Sequence, residues 1–374
     1  MKPLELYLHI PFCVQKCKYC DFLSAPASMQ ERQDYVWSLC QKIRSYREQA
    51  KAYHVISIFI GGGTPSLLES SQMTDIVKAL QETFSLDGDM EFTVEANPGT
   101  LTMEKLHTYR SLGVNRLSLG LQSAKDEELK CLGRIHSFAD FLESYQMARR
   151  AGFANINVDL MSGIPGQTLP GWEETLRKTA EFGPEHISAY GLIIEEGTPF
   201  YEMYGEDGKD RAQHEGELPD EETERLMYHR TREILEEYGF TRYEISNYAK
   251  PGFACRHNLG YWERTEYLGI GTGAASLIGN QRWNEGGEKI TLSGKDQMEE
   301  YMFLGLRKME GVSKAEFSGI FGCEIEAVYG DVIQKMCEKN LLEISGDFIR
   351  LTDFGIDVSN YVSPSFLSDS RYRM

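Results

Sequence analysis

Cys13, Cys17 and Cys20 stand in a Cys-x3-Cys-x2-Cys spacing directly behind a short apolar run, residues 4–10, which Pro11 ends. A loop this tight points three thiols at one centre, and converging thiolates favour a soft metal or a cluster. Four thiolates would close an iron–sulfur cubane; three leave one iron open to another ligand. A structural zinc site ordinarily shows two Cys-x2-Cys pairs, or histidines at ligand spacing. The other cysteines (Cys40, Cys131, Cys255, Cys323, Cys337) are scattered singly and make no second pair.

At 374 residues the chain suits a barrel-sized unit with a small second domain. Its net charge of −18 argues against a nucleic-acid partner, which would need a basic footprint. The same charge leaves at most peripheral contact with an anionic membrane. No apolar run reaches the length of a membrane span, and the N-terminus has no signal-peptide core. Clustered cysteines without a secretion signal predict a cytoplasmic protein.

Strands and helices alternate along the chain. Strands are predicted at 4–10, 54–60, 90–95, 115–121, 155–161 and 186–194, and helices at 29–51, 70–84, 101–111, 126–132, 137–150 and 171–182. The run 54–60 is almost continuously apolar, as in a strand buried on both faces. Six such units imply parallel βαβ pairing and a closed or partly closed barrel. An acidic loop spans 195–220, followed by a helix at 221–238 and a strand at 242–247; residues 248–294 read as irregular. Helices at 296–308, 313–319 and 324–339 lead into strands 341–344 and 348–351 around Ser345-Gly346-Asp347, a winged-helix-like outline. With 9 basic and 14 acidic residues over 295–374, this wing does not suit DNA. The predicted architecture is α/β: a partial (β/α)6 TIM-like barrel over 1–240, a connecting region over 241–294, and a smaller α+β domain over 295–374.

In parallel barrels the chemistry gathers at the carboxyl ends of the strands, and the informative residues here fall there. Gly61-Gly62-Gly63-Thr64-Pro65 ends the second strand, where glycines let backbone approach a ligand. Glu95 ends the third and Gln122 the fourth, the first suited to an amino group or ribose hydroxyl, the second to ribose or adenine. Arg134 has the fork that clamps a carboxylate. Asp159 sits in an apolar run and so needs a partner. Each also has a plainer reading: a turn, a solvated strand-end acid, a loop amide, a surface arginine, an acid bonded to backbone.

Taken together, these residues resemble the cofactor pocket of the radical S-adenosylmethionine (radical SAM) superfamily, in its oxygen-independent coproporphyrinogen III oxidase-like branch. The resemblance runs from Tyr7 to about Ala189 and continues in the C-terminal region. It implies that Cys13, Cys17 and Cys20 hold a [4Fe–4S] cluster and that S-adenosylmethionine caps the open iron. It further implies that Tyr7 and Tyr19 flank them, that Gly62, Gly63 and Thr64 line the methionine moiety, and that Glu95, Gln122, Arg134 and Asp159 contact the cofactor.

Within that branch the oxidases carry a further cysteine two residues after the third, where this chain has Phe22, and a longer N-terminal arm. The segment Arg256-His257-Asn258-Leu259-Gly260-Tyr261-Trp262 instead resembles the His-Asn-x-x-Tyr-Trp signature of the HemW-type heme chaperones. Histidine is a common axial ligand of heme iron, and Tyr261 and Trp262 offer flat faces; a structural histidine between two packed aromatics is the alternative. Cys255 is a further possible thiolate. Gly269-Ile270-Gly271-Thr272-Gly273 reads as a tight turn, and the resemblance sets it and Arg282-Trp283-Asn284 near the barrel opening. The implied function is binding heme and transferring it to heme proteins of respiration, without coproporphyrinogen oxidase activity. The alternative is the oxidase itself, decarboxylating propionates through a radical.

Overall fold

The structure, a computed structural model, describes residues 1–205 and 216–367. The central part of the acidic loop expected at 195–220, and the last residues of the C-terminal region, lie outside the described residues.

Six parallel strands pair in chain order: β1 (Lys2–Ile10), β2 (Tyr53–Gly62), β3 (Leu86–Ala96), β4 (Arg116–Gln122), β5 (Ile156–Ser162) and β6 (His186–Gly191). Successive side chains of a strand point to opposite faces, and here the two faces differ in kind. Leu4, Leu6 and Leu8 of β1, Phe92 and Val94 of β3, and Leu117, Leu119 and Leu121 of β4 belong to one buried apolar cluster with the surrounding helices. The alternate positions are polar: Glu5, Tyr7 and His9 on β1, Glu91, Thr93 and Glu95 on β3, Asn157 and Asp159 on β5. Outward leucines hold the helical layer, and inward polar residues line the space the sheet curls around. That space is not a packed apolar core but a hydrogen-bonded one. His186 reaches Asn157 Oδ1 at 2.6 Å and the Tyr243 hydroxyl at 2.8 Å, and Asn157 Nδ2 donates to Ser118 Oγ and Asp159 Oδ1, both at 2.7 Å.

The helices carry their own start signals. Ser28 and Glu31 form a capping box before Met29–Ser45, and Ser137 and Asp140 form one before Phe138–Arg150. The helix expected over 29–51 is interrupted: Tyr46 leaves helical geometry (φ −84°, ψ 1°), its ring packs on the core, and a separate turn, Arg47–Ala50, follows.

Two further expectations are corrected. The strand predicted at 242–247 is a bend between β7 (Thr241–Arg242) and β8 (Asn247–Ala249), which pair with each other. Ser246 N donates to the Glu244 carboxylate at 2.8 Å inside that bend, and Met309 N draws Tyr243 O outward at 3.0 Å. Residues 248–294 are not irregular. They form the helix Arg256–Trp262 and strands β9 (Tyr267–Ile270), β10 (Ala275–Ile278), β11 (Gln281–Asn284) and β12 (Ile290–Thr291). These pieces are too short to show a period, and their backbone partners lie far away in the chain: β9 pairs parallel with β1, while β8 pairs antiparallel with β6. The sheet order is β12-β11-β10-β9-β1-β2-β3-β4-β5-β6-β8-β7. The middle stretch thus extends both edges of the barrel sheet.

The C-terminal part has its own core around Tyr301, Met302, Phe317, Tyr329, Ile333 and Ile349. Its helices Gly294–Gly305, Lys314–Phe321 and Ile325–Glu338 pack on a three-stranded sheet, β13 (Val312–Ser313), β14 (Leu342–Ser345) and β15 (Phe348–Leu351), in the order β13-β15-β14. Among the described residues no helix is long and apolar enough to cross a membrane.

Candidate functional site

A cavity of about 350 Å³, the size of a small-molecule site, opens at the carboxyl ends of the strands. Cys13, Cys17, Cys20, Tyr19, Gly62, Gly63, Thr64, Glu95, Gln122, Arg134 and Asp159 all line it. Tyr7 does not, nor do His257, Cys255, Tyr261 and Trp262 of the His-Asn-x-x-Tyr-Trp segment.

The cysteine loop is tied down at several points. Cys13 N donates to Ala25 O at 3.1 Å and Ala25 N to Pro11 O at 3.0 Å, closing its base. Lys18 N donates to Leu132 O, and Phe200 N to Lys18 O, each at 3.0 Å. His9 Nε2 meets Leu23 O at 2.9 Å from below. The glycines of β2 let the loop sit this close. A Cβ on Gly63 would stand 2.6 Å from Phe12 O, and one on Gly62, at φ +109°, would stand 2.5 Å from the His9 ring.

Two polar side chains point at the sulfurs. Thr64 Oγ1 donates to Cys13 Sγ and Arg134 Nη1 to Cys17 Sγ, both at 3.6 Å. Asn97 organises both donors: its Nδ2 donates to Thr64 Oγ1 at 2.8 Å and its Oδ1 accepts from Arg134 Nη2 at 2.7 Å. Arg134 also donates to Gly120 O at 2.8 Å. So Arg134 is a half-buried organiser of the cysteine loop, not a free surface arginine. Donors of this kind orient cysteine ligands and tune a bound cluster. Gln122 sits at φ 72°, where a register shift in β4 swings its backbone into the left-handed region. Such strain in a non-glycine residue accompanies sites.

The far wall is acidic. Glu95 accepts from Gly62 N at 3.1 Å. Burial, aided by the nearby Asp159, pushes its carboxyl up to about 8. Asp159 is likewise held up by burial, against hydrogen bonds from Asn157, Ser118 and Ser188. An entering ammonium would let both acids ionise against it. Among the described residues no three His, Cys, Asp or Glu side chains converge closely enough to hold a single metal ion. A cubane asks less, because each cysteine ligates a different iron. Three thiols on one cavity wall, with donors aimed at two of them, fit such a cluster.

Tyr7 lies one layer deeper, its hydroxyl 3.1 Å from His9 Nδ1. Beneath it a column of rings descends through the barrel. Tyr7 and Phe59 stand 6.3 Å apart, Phe59 stacks on His257 at 5.2 Å, and His257 meets Tyr261 edge-on at 5.0 Å. His257 is therefore at the floor, only 1% exposed, with Nδ1 2.8 Å from Ser57 Oγ. Glu91 holds its helix in place, accepting from Cys255 Sγ at 3.2 Å and from Arg256 N at 3.0 Å. Cys255 is fully buried, and burial pushes its thiol well up, so it stays protonated. In this arrangement neither His257 nor Cys255 meets solvent or the cavity.

Glu5 completes the floor, 3.9 Å from His257 Nδ1. Burial pushes its carboxyl up to about 9 and pulls His257 down to about 3, so both are neutral at neutral pH and the contact is no ion pair. A raised carboxyl contributes stability that is complete below its unfolded value of 4.5 and is lost as pH climbs toward 9. Glu5→Gln is accordingly expected to match the wild type at pH 4–5. By pH 9 it should exceed it by roughly 3–6 kcal/mol, a ceiling set by the full shift. Urea midpoints at both pH values check this; equal differences at the two would refute it.

Sequence reasoning did not assign His9, Asn97, Ser118 or Tyr190 to the site. The signal was present as strict alternation in Leu-Glu-Leu-Tyr-Leu-His-Ile of β1 and Arg-Leu-Ser-Leu-Gly-Leu-Gln of β4. One polar residue at every second position marks the inward face. The 269–273 turn does reach the loop: a Cβ on Gly273 would meet Leu23, and one on Gly271 would meet His9 O. Arg282 and Trp283, expected near the opening, turn elsewhere. Arg282 pairs with Glu300, and Trp283 lines a different cavity beside Leu4 and Tyr53. The reason is register: Arg282 pairs with Leu277, Leu277 with Tyr267 and Tyr267 with Glu5, which sets Arg282 level with Glu5 near the floor rather than at the mouth.

Residues 7–179 match the family model described as the radical SAM superfamily, and residues 292–358 match the HemN C-terminal domain. The chain is 36% identical to the heme chaperone HemW of Bacillus subtilis (strain 168), covering 97% of this chain and 99% of that one. It is also 36% identical to the heme chaperone HemW of Lactococcus lactis subsp. lactis (strain IL1403), covering 98% of each. Among solved structures, the coproporphyrinogen III oxidase HemN of Escherichia coli, titled a radical SAM enzyme, superposes with a TM-score of 0.83 at 22% identity. That match covers 98% of this chain and 90% of that one. This last likeness is one of fold.

Proposed function

We propose, from the premise that this chain belongs to the HemW family of the radical SAM superfamily, that it binds heme and transfers it to heme proteins of respiration. The supporting observation is likeness to heme chaperones over nearly the whole chain, barrel and C-terminal domain together. Cys13, Cys17 and Cys20 would hold a [4Fe–4S] cluster, with S-adenosylmethionine in the adjoining cavity. Such a cluster, with its open iron, supplies a one-electron site for the bound sulfonium.

This chain's own residues do the rest. Thr64 and Arg134 donate to the cysteine sulfurs. Gly62 and Gly63 leave room for the cofactor's backbone-like end. Glu95 and Asp159, both raised above the usual carboxylate range by burial, would take the amino group or the ribose hydroxyls. Gln122 offers an amide across from them. Phe22, where the oxidases carry a further cysteine, lines the same cavity and is 57% exposed. It gives the mouth an apolar face instead of another thiol.

The test uses one anaerobic preparation with the cluster reconstituted. Titration with heme should give a saturable Soret change at one heme per chain. The same sample with coproporphyrinogen III, S-adenosylmethionine and a reductant should yield no protoporphyrinogen. Turnover would overturn the chaperone assignment in favour of the oxidase.

A further inference from the structure

We propose that the heme seat lies outside the barrel, on the outer face of β1 and β9, in the cavity that Trp283 lines. This rests on the heme-binding function proposed above. The cavity holds about 340 Å³, comparable to the one beside the cysteines, but its chemistry is opposite. Leu4 and Leu268, 1% and 4% exposed, form its floor, and Tyr46, Tyr53, Phe84 and Trp283 form its walls. Nothing in the fold fills it. The helix break at Tyr46 and strand β11 bring these rings around a common space.

One cation, Lys289, lines the rim, in a chain whose net charge is −18. Lys289 Nζ stands 4.3 Å above the Trp283 ring, and Lys42 Nζ lies 5.5 Å above Tyr46 while pairing with Glu285 at 2.8 Å. Aromatic walls, an aliphatic floor and the Lys289 ammonium at the edge fit a flat apolar body with a carboxylate on one side. That is the chemistry of a porphyrin bearing propionates, inserted by its apolar edge with the propionates toward Lys289. The cavity beside the cysteines suits such a ligand less well, since a dianion there would face Glu95 and Asp159.

The seat is also linked to the aromatic floor of the barrel without His257 touching heme. Tyr261 meets Tyr267 edge-on at 4.6 Å on the inner face of β9, and Leu268, the next residue, faces the outer cavity. Among the lining side chains, the phenols of Tyr46 and Tyr53 are the oxygen donors of a type heme iron takes. Tyr53 already donates to Glu266 Oε2 at 2.7 Å.

The experiment titrates the full chain with hemin, and separately with the dimethyl ester of hemin, whose propionates are neutral. Wild type, Trp283→Ala, Lys289→Glu and the control Trp37→Ala are compared by Soret difference. Trp37 is exposed on another helix face. Expected are at least tenfold weaker hemin binding for Trp283→Ala and for Lys289→Glu, with Trp37→Ala unchanged and the ester insensitive to Lys289→Glu. Lys289 is at the surface, so its variant tests the seat even if Trp283→Ala folds poorly. If the wild type binds hemin and Lys289→Glu and Trp283→Ala bind it equally well, the seat is overturned while the heme-binding function stands. If the wild type binds no hemin, both fall.

Discussion

Alanine at any one of Cys13, Cys17 or Cys20 is expected to abolish the iron–sulfur cluster. After anaerobic reconstitution the iron and sulfide content of each variant should fall to background, and the broad visible absorption should disappear. The physical reason is that these three thiolates would be the whole protein ligand set. The remaining cysteines stand apart from the loop as Cys40, Cys131, Cys255, Cys323 and Cys337, none of them lining the cavity. No nearby thiol takes over. The fold should survive, because the loop cysteines are only partly buried and the loop is held by backbone hydrogen bonds at Pro11, Cys13, Ala25, Lys18 and Leu132. Near-wild-type circular dichroism without a cluster is therefore the expected pair of results. A variant that keeps a stoichiometric cluster would overturn the ligand set. Because the proposed heme seat is elsewhere, the same variants should still titrate with hemin.

The second large effect is at the barrel floor. His257→Ala is expected to cost about 3–5 kcal/mol of stability, in the range for removing a large buried side chain and stranding its polar partners. The side chain is 2% exposed, stacks on Phe59, meets Tyr261 edge-on and bonds Ser57. Its loss leaves a hole between Ser57 and Glu5 at the base of the ring column that ends at His9 and the Leu23 carbonyl. A chemical-denaturation midpoint measures the cost, and a hemin titration of the folded fraction should be unchanged. The opposite outcome, full stability with loss of the heme Soret shift, would make His257 the iron ligand and remove it from the floor.

Much of this was legible before any coordinates. Six strand–helix units, their order, and the positions of Glu95, Gln122, Arg134 and Asp159 at or near strand ends all follow from local pattern. Strands and helices of this length each bury a face, and burying a face leaves a period in the residues themselves. The short strands β7 to β12 left none. A strand of two to four residues is chosen by a distant neighbour's unpaired backbone, so the region reads as loop until β1 and β6 are seen to need edges. The polar barrel interior was half visible: the alternation was written in β1 and β4, but the apolar run of β2 suggested burial against hydrocarbon on both sides.

The sequence alone determined the chemistry of the cysteine loop, since thiol spacing within one tight loop is a local property that folding cannot undo. It also determined the family, through residues spread over the whole chain. Only the tertiary structure decided where His257 sits. Its motif has a histidine and two aromatics whether they greet a ligand or plug a barrel. The deciding quantity is solvent access, and access depends on Glu5, Ser57, Phe59 and Glu91, which arrive from strands up to 252 residues away in the chain. The aromatic cavity around Trp283 is decided the same way, by a helix break and strand β11, which meet only once the sheet has formed.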